Sequence, residues 1–173
     1  MDKTVITFGL SERDIDKAIK ELEQYKRDLI RKTDLLREKI AERIADHAWS
    51  GFAVAIVDDL LNGGTRTADV DVSVEVRDNI SVVIAHGEDA IWVEFGAGVY
   101  HNGSAGSSPH PKGAELGFAI GGYGKGMGNR TIWGYYEDGE LRLTHGTPST
   151  MPMYNAVKTV SDGIVEIARE VFG

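Results

Sequence analysis

Between Ser11 and Asn62 the chain carries no proline and a single glycine, Gly51. No residue before Gly51 removes a backbone donor or favours a left-handed turn, so helix is the local state this stretch prefers. Ser11, with Asp14 three residues on, resembles a capping box in which Asp replaces the usual Glu or Gln, and a helix should start there. Ile15, Leu22, Leu29 and Leu36 recur at intervals of seven, and Ile19 and Ile40 lie four after Ile15 and Leu36. The two intervening positions of that second row hold Lys26 and Thr33. One reading is a coiled-coil-like arm that packs against a neighbouring subunit. The other is a pair of amphipathic helices, at about residues 12–30 and 33–62, folded back on one core. Lys26 and Thr33 weaken an uninterrupted seam and favour the pair. The more apolar Ala48–Leu61 segment, with Trp49, Phe52, Val54, Ile56, Val57, Leu60 and Leu61, is the expected buried part.

Past Asn62-Gly63-Gly64 the period changes. Val70, Val72, Val74 and Val76 alternate with polar residues, which is the pattern of a half-buried strand. Asp78-Asn79 reads as a tight turn, and residues 80–85 pair back as a hairpin. Gly87-Glu88-Asp89 turns the chain into Ala90–Phe95, and residues 131–144 read as a second hairpin. Thr4–Phe8 alternates as a short strand. Pro152 opens a final helix to about Phe172, with Ala156, Val160, Ile164, Ile167, Ala168 and Val171 at helical spacing. The expected fold is therefore α+β in a single domain spanning 1–173. A helical part covers 12–62, an antiparallel β-sheet of hairpins covers 68–146, and a C-terminal helix at 152–172 packs on the sheet.

Eleven of the 21 glycines fall in residues 96–128, which should form a long loop that orders on docking. The run does not fit a phosphate loop, because Ala119 stands where the first glycine belongs and Gly126 where Ser or Thr belongs. The dinucleotide fingerprint fails at Met127. Five histidines show no paired-ligand spacing, although His101 and His110 share the loop and could approach Glu94 or Glu115. No serine sits in a Gly-x-Ser-x-Gly elbow. These failures predict no catalytic residue, no cofactor and no resident metal. The absence of cysteine removes disulfides and thiolate chemistry and fits assembly in a reducing cytoplasm. Neither a signal peptide nor a membrane span is expected. With net charge −8 and no basic cluster, specific nucleic-acid binding is not expected, although DNA could slide past such a surface without sticking. Tyr100, Phe118 and Tyr123, inside the loop, are candidate aromatic anchors on another subunit.

Three segments carry a resemblance. They are Trp92-Val93-Glu94-Phe95-Gly96-Ala97-Gly98, then Pro109-His110-Pro111, and then Thr147-Pro148-Ser149-Thr150-Met151-Pro152-Met153-Tyr154-Asn155-Ala156. Between the last two lie Gly122-Tyr123-Gly124-Lys125-Gly126 and Trp133-Gly134-Tyr135-Tyr136. Together they resemble the neck, or tail-completion, proteins of long-tailed bacteriophages and prophages, most strongly over residues 85–165. Members have a Glu-Phe-Gly turn after a strand, a variable loop, and a proline-marked entry to the last helix. Many also join their helices to the first strand by a tGxLrxSi segment after a proline, where this chain has Asn62-Gly63-Gly64-Thr65-Arg66-Thr67.

The resemblance implies a non-enzymatic structural virion protein at the head–tail neck, assembled in the host cytoplasm. It implies a homo-oligomeric ring, sixfold or twelvefold in the particle, that joins the portal, adaptor or stopper complex to the tail tube or tail terminator. Glu94, Phe95 and Gly96 would form the hinge of a docking loop, with Tyr100, Phe118, Tyr123, Met151, Pro152 and Tyr154 as further contact residues. The alternatives are a tail-terminator protein and a virion-associated, metal-dependent hydrolase using His101, His110 and Glu94.

Overall fold

The computed structural model describes Ile6 and residues 9–61, 69–96, 109–118, 133–144 and 147–173. The expected strand at Thr4–Phe8, apart from Ile6, and the helix–strand junction at Asn62–Thr67 lie outside these residues. Tyr100, His101 and Tyr123 lie outside them too.

The N-terminal half is one uninterrupted helix, α1, Glu12–Leu61, of 50 residues and about 75 Å at 1.5 Å per residue. This corrects the two-helix reading. Lys26 and Thr33 interrupt an apolar row, but neither breaks a helix. The Thr33 hydroxyl donates to the Leu29 carbonyl at 2.8 Å and so stays within the helical ladder. Arg31 with Asp28 and Arg37 with Asp34 add i,i+3 pairs on either side. At the start, the Ser11 hydroxyl accepts the Asp14 amide at 3.2 Å, as the capping pattern predicts, while the Asp14 carboxylate accepts the Ser11 hydroxyl at 2.6 Å rather than the Ser11 amide.

The face that α1 buries matches the expected one at Phe52 but otherwise differs from it. Ala41, Ala45, Ala48, Phe52 and Ala55 are buried at helical spacing, whereas Trp49, Val54, Val57 and Leu61 are exposed. Small side chains let neighbouring elements approach closely, so alanines outcompete the bulkier residues for the packed face. Gly51 serves the same purpose, since a Cβ there would lie 3.0 Å from the Pro152 Cβ.

Strands β1 (Asp71–Arg77) and β2 (Ile80–His86) form an antiparallel hairpin with Arg77 opposite Ile80, and it packs on α1. Next comes a short helix, α2, Ala90–Phe95, where the resemblance implies a strand before the Glu-Phe-Gly turn. Ile91-Trp92-Val93 has strand propensity, but Ala90, Val93 and Glu94 fall on one helical face and that face is buried. Strands β3 (Trp133–Glu137) and β4 (Glu140–Thr144) form a second hairpin, and among the described residues the two hairpins are separate two-stranded sheets rather than one. Tyr136, Leu141 and Leu143 of the second hairpin are exposed.

The C-terminal segment is helical as two pieces, α3 (Pro152–Asp162) and α4 (Ile164–Phe172), parted at Gly163. Both lie along α1. Met153 and the hairpin residues Val72 and Ala85 close on one cluster of Phe52, Ala55, Ala90 and Val93. The α+β class is thus present, with the hairpin and the C-terminal helices sharing a core around α1. Arg43 donates to both Glu170 oxygens at 2.7 and 2.8 Å, and Lys39 reaches the same carboxylate at 3.3 Å. The hydrogen bond from Arg43, then that from Lys39, holds the Glu170 carboxyl below its ordinary pKa. No helix among the described residues is long and apolar enough to cross a membrane.

Candidate functional site

The residues that carry the resemblance converge on Glu94. It sits on the buried face of α2, 6% exposed, although most carboxylates lie at the surface. Its Oε2 accepts the Met153 amide at 2.8 Å and its Oε1 accepts the Tyr154 amide at 3.0 Å. These are first-turn N–H groups of α3, which lack partners within the helix. Met151, in the N-cap position, has no side-chain oxygen to satisfy them and makes no capping bond. Glu94 therefore caps α3 from 59 and 60 residues away, and its negative charge meets the positive end of the helix dipole.

His110 closes the other side, with Nε2 3.3 Å from Glu94 Oε1. Its Nδ1 accepts the Lys112 amide at 3.0 Å, which places the proton of the neutral ring on Nε2, facing the carboxylate. Residues 110–118 fold compactly, with the Gly113 amide on the His110 carbonyl and the Phe118 amide on the Gly113 carbonyl, both at 2.8 Å. This small unit is held by aromatic contacts. Phe95 stacks on Phe118 at 4.6 Å between centroids and lies 4.4 Å from the His110 ring. Trp92 meets Phe118 edge-on at 6.0 Å, and Tyr154 meets His110 at 5.3 Å.

The third part of the clasp is the approach to α3. The Ser149 hydroxyl donates to the Glu94 carbonyl at 2.7 Å, and the Thr150 amide and hydroxyl donate to the Val93 carbonyl at 3.0 and 3.2 Å. The end of α2 thus has its carbonyls satisfied by the same segment whose helix it caps. Gly96 turns away immediately after, at φ 77° and ψ 170°, a conformation essentially reserved for glycine. A Cβ at Gly96 would also lie 3.0 Å from the Ser149 nitrogen and the Thr147 oxygen. Gly96→Ala is accordingly expected to destabilise the fold by about 2–3 kcal/mol. Urea unfolding checks this, and the Thr150 amide should lose hydrogen-exchange protection first.

Of the candidate contact residues, Glu94, Phe95, Gly96, Phe118, Met151, Pro152 and Tyr154 come together here. Phe118 is 2% exposed and Pro152 is buried, so both are anchors within their own chain rather than exposed docking side chains. Tyr154 is 38% exposed and borders the outside. His110 does approach Glu94, but the carboxylate's acceptor sites are directed at two backbone amides and that ring. No group of three or more His, Asp or Glu is placed to hold a metal ion among the described residues. Ser149 and Thr150 were missed as working residues. Their signal is the polar pair preceding Met-Pro, a helix start that lacks a capping side chain of its own.

No protein-family model matches the chain, and neither does any curated protein or solved structure compared with it.

Proposed function

We propose that the chain is a structural component of the head–tail joint of a tailed phage or prophage, a neck or tail-completion protein that assembles as a homo-oligomer beside the portal, adaptor or stopper complex and the tail tube. The observation that carries this reading is the convergence of the three resembling segments. Residues 92–96, 109–110 and 147–154 are far apart in sequence, yet they interlock around one buried carboxylate. The chemistry of the clasp also suits the role, since a capped helix and a folded segment pinned by stacked rings hold a shape that neighbouring rings can dock against.

Deleting the gene from the phage or prophage that encodes the chain tests this directly. The expected result is DNA-filled heads and separate tails, with infectious yield restored by the gene supplied in trans. Normal yields of joined, infectious particles without it would overturn the proposal.

A further inference from the structure

Two features of α1 play no part in the clasp. Along its N-terminal half Ile15, Ile19, Leu22, Tyr25, Leu29 and Ile30 are each 41–54% exposed, a continuous apolar stripe that gains nothing from burial in its own chain. Where the stripe reaches the body it runs into an open groove of about 300 Å³ between α1 and β2, lined by Thr33, Leu36, Arg37, Ile40, Ile44 and Val83, together with Ser81. Two buried side-chain polar atoms lack a hydrogen-bond partner among the described residues, Arg37 Nε and Ser81 Oγ, and both belong to residues lining this groove. Such atoms are costly when left unpaired, but both are covered by their own chain, so it is the apolar lining of the groove that lacks a partner.

We infer that the occupant is a second copy of this chain, with its α1 laid antiparallel on the first so that each exposed half-helix enters the other's groove. The sequence fixes the direction. A parallel, in-register pair would stack Lys26 on Lys26 and bring Lys32 beside Arg37, placing like charges together twice. The antiparallel pair avoids both. Setting Leu22 opposite Thr33 of the second copy also sets Ile15 opposite Ile40, Ile19 opposite Leu36, and Lys26 opposite Leu29, each twice about the two-fold axis. Every polar interruption then faces a leucine, and the strongest apolar layers fall where the groove is.

The flanking charges agree. Asp16 makes no ion pair among the described residues, and this register carries it to Arg37 of the second copy. Arg37 is held by Asp34 through Nη1 at 3.1 Å, and the carboxylate of the second copy would add a further acceptor at the exposed part of its guanidinium. The overlap from Ile15 to Ile40 is about 39 Å at 1.5 Å per residue, ample for a two-stranded seam. The inference does not rest on the head–tail placement, because it concerns the free protein.

Sedimentation equilibrium of the full chain at micromolar concentration should give a dimer. Leu22→Glu, at a residue 54% exposed in one chain, should leave the single-chain fold intact by circular dichroism while weakening association at least roughly tenfold. The natural chain has no cysteine, so Leu22→Cys and Thr33→Cys proteins can be mixed and oxidised. The expected product is a disulfide between the two variants, with none between two Leu22→Cys chains. A protein that is monomeric at concentrations on the order of 100 µM would overturn the inference. Efficient self-linking of Leu22→Cys, the parallel result, would overturn it as well. Dimerisation with a failed head–tail phenotype, or the reverse, separates this inference from the functional one.

Discussion

Replacing Glu94 with alanine should lower the unfolding free energy by about 3 kcal/mol, because two hydrogen bonds to a buried carboxylate are lost together. The Met153 and Tyr154 amides would be left without an acceptor at the start of α3, and Met151 cannot supply one. Glu94→Gln keeps one oxygen acceptor and much of the packing, so its cost should be smaller, about 1–2 kcal/mol. Urea unfolding of both variants measures the difference, and hydrogen exchange at residues 153 and 154 localises it. The effect should spread to residues 110–118, because His110 loses its polar partner on the same carboxylate. An alanine variant within about 0.5 kcal/mol of the natural protein would mean that the clasp is not what fixes α3.

Phe52→Ala should cost about 3–5 kcal/mol, the usual range for emptying a large aromatic site in a packed core. Phe52 is 1% exposed and is the largest side chain of the cluster that joins α1, α2, the first hairpin and α3. Its cluster includes Ala55 from α1 and Ala90 and Val93 from α2, with Val72 and Ala85 of the first hairpin and Met153 of α3 packed against it. Trp49, three residues earlier on the same helix and 55% exposed, is the internal contrast. Trp49→Ala should change stability by less than about 1 kcal/mol despite the larger side chain. Equal losses at the two positions, measured by thermal or urea unfolding, would contradict the buried face assigned to α1.

That contrast also shows where the residues were legible and where they were not. The existence and start of α1 follow from the Ser11–Asp14 cap and the absence of breakers. Its continuity is harder to read, because a polar residue in a heptad row interrupts a seam without interrupting a helix. The packed face was hidden for a different reason. Hydrophobic bulk draws attention to Trp49, Val54 and Val57, while the side chains that permit close approach are Ala41, Ala45, Ala48 and Ala55.

At the candidate site, the participating segments were visible through resemblance, but their geometry was not. Nothing in the spacing of Glu94 and Met153 says that one caps the other. The available hint was negative, a proline-initiated helix whose N-cap residue cannot cap. The helical state of Ala90–Phe95 was obscured by Ile91-Trp92-Val93, whose local preference for strand gives way to the burial of Ala90, Val93 and Glu94 together.

Electron cryo-microscopy of intact particles from the phage or prophage proposed to encode the chain is the most direct measurement of where the protein works. The predicted result is a ring at the head–tail joint in which each subunit shows a helix about 75 Å long beside a short hairpin and two C-terminal helices. A fully traced neck with no subunit of this fold, or the same fold found elsewhere in the particle, would contradict the assignment to the head–tail joint.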